Sequence, residues 1–287
     1  MLSKLLPAFF KRAINAHIRT VASGGRELYV QSLPGQNAYC IKPSNPTAKV
    51  AEGGRFPIPP KELWLGYASD AQGYISSGKC HVTEMIRALE QNGFTIGSAK
   101  RILEFGCAAG RMIRHLPEIA PNAELWGVDQ NAERIRWCIE NLTPAIHFAT
   151  TTMVPHLPFE DRYFDLIFCG SVFTHIEDIQ ESWLLELGRV LRPSGKLYIT
   201  IHDEHTVTVL DKCRDHLLAK VMQEQPTYCN NKNDFNMIVV GRGASSQMFY
   251  SSRYFQFITP PIFRWISRTT EAYAYQSAVI LEKLRTD

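Results

Sequence analysis

Between residues 101 and 202 the chain switches its hydrophobic period again and again. Short apolar runs read as strands: "RILEF" (101–105), "ELWGVD" (124–129), "AIHFAT" (145–150), "FDLIFCG" (164–170) and "KLYITIH" (196–202). Helix-spaced segments separate them: Met112–Ile119 before Pro121, "NAERIRWCIENL" (131–142), and "IEDIQESWLLELGRVL" (176–191) with Ile179, Trp183, Leu187, Val190 and Leu191 on one face. A further helix, starting near residue 78, carries Val82, Met85, Ile86 and Leu89 and ends at the cap residue Gly93. Strands that alternate with helices demand a parallel sheet covered on both faces. Right-handed crossovers make that sheet doubly wound. Ligands bind such sheets beyond the carboxyl ends of the strands, where the strand order reverses.

The rest of the composition narrows the class. A chain of 287 residues holds one large domain with additions, or at most two domains. At 45% hydrophobic and 21% charged it reads as an ordinary globular protein, and a net charge of +3 is too small to argue for nucleic acid. The seven cysteines are scattered and odd in number, with no C-x-x-C pair, so neither a zinc site nor a disulfide framework is expected, and a reducing cytoplasm is the expected setting. No apolar run approaches the roughly 18–20 residues that span a bilayer.

The turn after the first strand is the most telling local feature. In "EFGCAAGR" five small residues, Gly106, Cys107, Ala108, Ala109 and Gly110, separate Phe105 from Arg111. Small side chains at a strand-to-helix turn let a ligand lie against backbone N–H groups and a helix N-terminus. The second strand ends at Asp129, 23 positions after Gly106, where a carboxylate can accept hydrogen bonds from both hydroxyls of a ribose. A nucleoside-bearing cofactor is therefore expected. A dinucleotide is disfavoured, because Arg111 stands where the fingerprint Gly-x-Gly-x-x-Gly wants its third small residue, and no P-loop is present.

With these residues in place the chain resembles the class I S-adenosylmethionine-dependent methyltransferases. "LEFGCAAG" is similar to their first motif, with Ala108 in place of the middle glycine, and "VDQN" to their second. "LPFEDRYFDLIFCGSVFTHIED" resembles their approach to strand four and that strand, and "LGRVLRPSGKLYIT" their following helix, Pro193-Ser194-Gly195 turn and fifth strand. The resemblance covers about residues 80–205. It implies a Rossmann-like, mostly parallel seven-stranded sheet, with "IFRWISR" and "AYQSAVILEK" as an antiparallel final pair. The cofactor implied is S-adenosylmethionine, with S-adenosylhomocysteine as its product. Gly106, Cys107, Ala108 and Gly110 would line its amino-acid end, with Glu104 nearby. Asp129 would hold the ribose and Gln130 pack beside the adenosine. Thr152 and Met153 stand near the adenine position, which here lacks the usual acid, and Gly170 and Ser171 would face the methionine part.

Two histidines are candidate bases for an acceptor hydroxyl, His175 in "SVFTHIED" and His202 at the start of "HDEH". A metal is not expected, because consecutive residues at a strand end point in different directions. The expected division is an N-terminal extension (1–77), a cofactor-binding core (78–205), an acceptor-defining lid (206–260) and the last two strands (261–287). The lid reads as one helix, "VTVLDKCRDHLLAKVM", then polar "TYCNNKND" and aromatic "QMFYSSRYFQFI". The extension holds turn-rich stretches, a short strand "ELYVQ" and a basic first segment. In that segment Leu2, Leu5, Leu6, Phe9, Ala13 and Ile18 share a helical face suited to packing on the domain or to a membrane surface. The expected activity is O-methylation of a small molecule, a natural product or sugar. Methylation of tRNA or protein, or a non-catalytic binding role, are the alternatives.

Overall fold

The computed structural model describes residues 56–243 and 246–285. The basic first segment and the "ELYVQ" stretch lie outside the described residues. Seven strands form the central sheet: β1 (Arg101–Phe105), β2 (Glu124–Asp129), β3 (His147–Thr150), β4 (Phe164–Cys169), β5 (Leu191–Ile201), β8 (Phe263–Tyr273) and β9 (Gln276–Lys283). Their order is β3-β2-β1-β4-β5-β9-β8. The first five run parallel, while β9 is antiparallel to both β5 and β8. This is the expected mostly parallel Rossmann-like sheet. The order reverses between β1 and β4, so the site belongs at their carboxyl ends. Two further strands, β6 (Met237–Val240) and β7 (Gln247–Tyr250), pair separately.

Alternation along β1 assigns its residues to opposite layers. Ile102 packs with Val82, Met85, Leu89 and Ile135 on one face. Leu103 packs with Ile167, Trp183 and Leu187 on the other. All six residues of β4 are buried, as a central parallel strand requires. The covering helices are α1 (Ala71–Gln91), α2 (Ala132–Leu142) and α3 (Gln180–Val190). α1 starts ahead of the apolar pattern because the Asp70 carboxylate caps it, accepting from Gly73 N–H.

Several expectations need correction. The helix expected over Met112–Ile119 is only a three-residue 3-10 turn, Ile113–His115. Pro117 is the reason, since it has no N–H for the Ile113 carbonyl and its ring clashes with a continuing helix. The positive helix end expected at the turn is therefore missing. The single helix expected at 207–222 is two, α4 (Glu204–Lys212) and α5 (Leu217–Gln223), the second capped by His216. Part of the polar stretch after it is helical, α6 (Pro226–Asn231), with proline at its first position. The aromatic segment forms β7 and α7 (Ser252–Ile258). Pro193-Ser194-Gly195 lies within β5 as a register shift, with Ser194 at φ 64°. Among the described residues no helix is long and apolar enough to cross a membrane.

Candidate active site

The turn from β1 to Arg111 is built on left-handed backbone. Gly106, Ala108 and Gly110 have φ of 79°, 47° and 71°. Glycine takes this region freely, whereas alanine does so at a cost of about 1–2 kcal/mol. Asp129 holds Ala108 there, its Oδ2 accepting the Ala108 N–H at 2.9 Å and its Oδ1 the Asn131 N–H at 2.8 Å. Each oxygen keeps a second lone pair, which is what a ribose diol needs. Burial raises the Asp129 pKa, and the two N–H donors oppose that rise.

The small residues answer first to protein neighbours. A side chain on Gly106 would meet Val172 Cγ2 at 2.3 Å, and one on Gly110 would meet Leu142 Cδ1 at 2.5 Å. Gly106 is therefore small so that the loop after β4 can lie across it, and Gly110 so that α2 can. Cys107 and Cys138 both donate their thiols to the Ala108 carbonyl. Both thiols are buried, which pushes their pKa values up and makes them packing groups. Glu104 is buried behind the turn and accepts the Ile113 N–H at 2.9 Å. Burial raises its pKa to about 8, against the pull of Arg111 and that N–H.

Arg111 is a functional candidate that sequence reading treated only as an obstacle. Its guanidinium is buried and donates to Ser77 Oγ at 3.3 Å, to His81 Nδ1 at 3.1 Å and to the Tyr273 hydroxyl. It also lies 4.1 Å from the centre of the Tyr67 ring. None of these partners is an anion. His81 stacks on Tyr273, and burial followed by the Arg111 charge lowers its pKa to about 3. Tyr273 in turn packs on Gly170, where an added Cβ would lie 2.6 Å from its ring. The order of the chain gave no signal for this cluster, because β8 comes back to the site from far along the sequence.

The other expected residues fall in different places. Gly170 and Ser171 close β4 beside Gly106. Ser171 has φ 59°, and its hydroxyl is turned inward to Thr174 and Gln276. Gln130 is exposed. Thr152 is exposed and bonds only Val154, and Met153 is half-buried beside it.

The two histidines differ sharply. His175 is exposed at the rim. Its Nδ1 lies 2.6 Å from the Ser246 carbonyl, while Ser246 Oγ donates to the His175 carbonyl at 2.9 Å. A carbonyl only accepts, so Nδ1 carries the proton and Nε2 keeps its lone pair. Crowding by the protein lowers the His175 pKa, and the bond to Ser246 opposes this. His202 is 1% exposed, set between Phe249 and Tyr275, and neither ring nitrogen has a partner. Burial lowers its pKa to about 3, which keeps it neutral. The acidic and basic groups after His202 pair among themselves, Asp203 with Arg268 and His205 with Glu271. Among the described residues no group of three or more candidate ligands is placed to hold a metal ion.

A sequence profile described as a methyltransferase domain matches residues 103–199, roughly a third of the chain. Residues 103–199 are thus similar to a methyltransferase domain, and the sheet around them has the Rossmann-like fold of the class I methyltransferases. The chain is 26% identical over 101 residues to a malonyl-(acyl-carrier protein) O-methyltransferase of Hahella chejuensis, a match that covers 35% of this chain and 36% of that protein. The chain thus spans little more than a third of that relative. A solved protein of Pyrococcus horikoshii superposes with a TM-score of 0.56 at 16% identity, covering 77% of this chain and 97% of that one. The 1,6-didemethyltoxoflavin-N1-methyltransferase of Burkholderia thailandensis, solved with its substrate and S-adenosylhomocysteine, gives 0.50 at 13% identity, covering 75% and 82%. At these identities the two structures speak for the fold of the domain.

Proposed function

We propose that this protein transfers a methyl group from S-adenosylmethionine to an oxygen atom of a small-molecule acceptor, a natural product or sugar, in the cytoplasm. The observation that carries the reading is Asp129. Its carboxylate ends β2, braces the left-handed turn after β1 and retains a lone pair on each oxygen. Asp129 would hold the ribose, the 106–110 turn would border the amino-acid end, and Gly170 would close that end. When bound, the cofactor supplies an already activated methyl group. The chain has to bring the acceptor into line and keep water out, which alone is worth roughly 7–11 kcal/mol.

A hydroxyl acceptor also has to lose a proton. His175 suits that step, because Ser246 fixes its tautomer and the lowered pKa keeps Nε2 unprotonated near neutrality. His202 is enclosed by Phe249 and Tyr275 and is almost fully buried, so it stands second as a base. The name of the Hahella relative, an O-methyltransferase, supports an oxygen acceptor.

Calorimetry with S-adenosylhomocysteine tests the cofactor, and absence of binding by the folded protein would reject the reading. Turnover on a panel of hydroxylated small molecules, followed by mass spectrometry, then tests the chemistry. His175→Ala should lower turnover by about 10²–10⁴ with unchanged cofactor affinity. The wild-type rate should rise with pH through a group titrating below the ordinary imidazole value of about 6.5, and that limb should vanish in the variant. Retention of rate and profile by His175→Ala would assign catalysis to positioning alone.

A further inference from the structure

Ser171 occupies the left-handed region at φ 59° without being glycine. Such residues persist only where their surroundings over-determine them. The surroundings here form a closed ring of hydrogen bonds. Ser171 N–H donates to Thr200 Oγ1 at 2.7 Å, and Thr200 Oγ1 donates to Gln276 Oε1 at 2.7 Å. Gln276 Nε2 completes the ring by donating to Ser171 Oγ at 2.8 Å. Ser171 Oγ then faces Thr174 Oγ1 at 3.1 Å. Thr200 and Thr174 are 0% exposed and Gln276 is 3% exposed, so the half-buried Ser171 is the open member of the ring.

The donor and acceptor roles interlock. Thr200 Oγ1 accepts from the Ser171 backbone and has one proton, which it gives to Gln276. The Gln276 amide spends its oxygen on Thr200 and one N–H on Ser171. An apolar residue at 276 would satisfy neither neighbour. The ring joins the first residue of β9 to the ends of β4 and β5, and so ties the last strand of the chain to the switch point of the sheet.

We propose that Gln276 is a positioning residue for the cofactor site. It holds the Gly170–Ser171 peptide in its left-handed turn, so that backbone, and not the Ser171 hydroxyl, is presented toward the space beside Gly106. The proposal rests on the cofactor reading above, and wild-type binding of S-adenosylhomocysteine checks that reading first.

The test compares Gln276→Leu with the double variant Gln276→Leu/Ser171→Gly by calorimetry with S-adenosylhomocysteine, with thermal unfolding as a control. Glycine adopts the left-handed turn without restraint. The single variant should bind about tenfold more weakly, the factor expected when a non-glycine residue loses what holds it in that region. The double variant should regain most of the affinity, although it has one hydrogen bond fewer. Wild-type affinity in Gln276→Leu would overturn the proposal. So would an affinity that stays low in the double variant, because the effect would then be one of packing and not of the Ser171 conformation. If Gln276→Leu does not fold, Thr200→Val opens the same ring at another bond and is compared with its own Ser171→Gly partner by the same two criteria.

Discussion

Two turns lie against each other at the switch point, one after β1 and one after β4, and both need left-handed backbone. The first obtains it from glycine, with Gly106 and Gly110 at φ 79° and 71°. The second obtains it from side chains, with Ser171 held by Thr200 and Gln276. Ala108 stands between the two solutions, a non-glycine in the first turn whose N–H is held by Asp129. A turn made by glycine tolerates no side chain. A turn made by a hydrogen-bonded ring tolerates one but depends on partners from distant strands.

The comparison can be broken most severely at Gly106. Gly106→Val places a branched carbon where Val172 Cγ2 stands 2.3 Å away, in a conformation that valine avoids. Overpacking and backbone strain together should cost about 2–5 kcal/mol, read by denaturant unfolding, and S-adenosylhomocysteine should no longer stabilise the variant. A loss under about 1 kcal/mol would show that the β4 loop yields easily and that contact with Val172 is not what keeps residue 106 small.

A smaller effect comes from Glu104, which braces the first turn from behind. Its pKa is raised in the folded state, from 4.5 to about 8, so the folded protein holds a proton that the unfolded chain releases. Its contribution is fully present below pH 4.5 and declines as pH rises toward 8. Glu104→Gln should flatten the fall in Tm across that window. Equal slopes in the two proteins would mean that Glu104 stays charged in the fold.

The smallest effect sharpens the contrast. Ala108→Gly should stabilise by roughly 0.5–1 kcal/mol, the relief of left-handed strain less the extra chain entropy of glycine. Ser171→Gly gains the same relief but gives up the bond from Gln276, worth about 1 kcal/mol, so its stability should not rise. Equal stabilisation of both by chemical unfolding would mean that the two turns are held alike.

What could be read from the chain alone follows the same division. Periodicity located every strand of the parallel core, because β1 to β5 each contain a short apolar run bounded by turn residues or by helical spacing. The glycine turn and Asp129 were legible, since glycine and a strand-ending acid are local signals. Pro117 was legible in principle, but the expected helix runs through it and stops before Pro121. The ring around Ser171 and the cage around Arg111 were not legible. Gln276 lies 105 positions from Ser171, and Tyr273 lies 162 from Arg111. Those contacts exist only once β8 and β9 have folded back against the sheet. The protein neighbours that also keep these residues small were not legible either. Glycine reports that something comes close, and only the fold identifies it as Val172 and Leu142.

The strand β7 is sewn to the loops after both β4 and β5. Met248 N–H donates to the Thr174 carbonyl and Tyr250 N–H to the His202 carbonyl, each at 2.9 Å. The Tyr250 hydroxyl shares its one proton between the Phe173 and Ile176 carbonyls. Such a strand cannot swing aside without exposing backbone groups of the β4 and β5 loops at the same moment. Solvent deuterium should therefore reach the Met248 and Tyr250 amides only when the sheet itself opens. Their uptake would then follow the global unfolding free energy of the domain and not the arrival or departure of ligand.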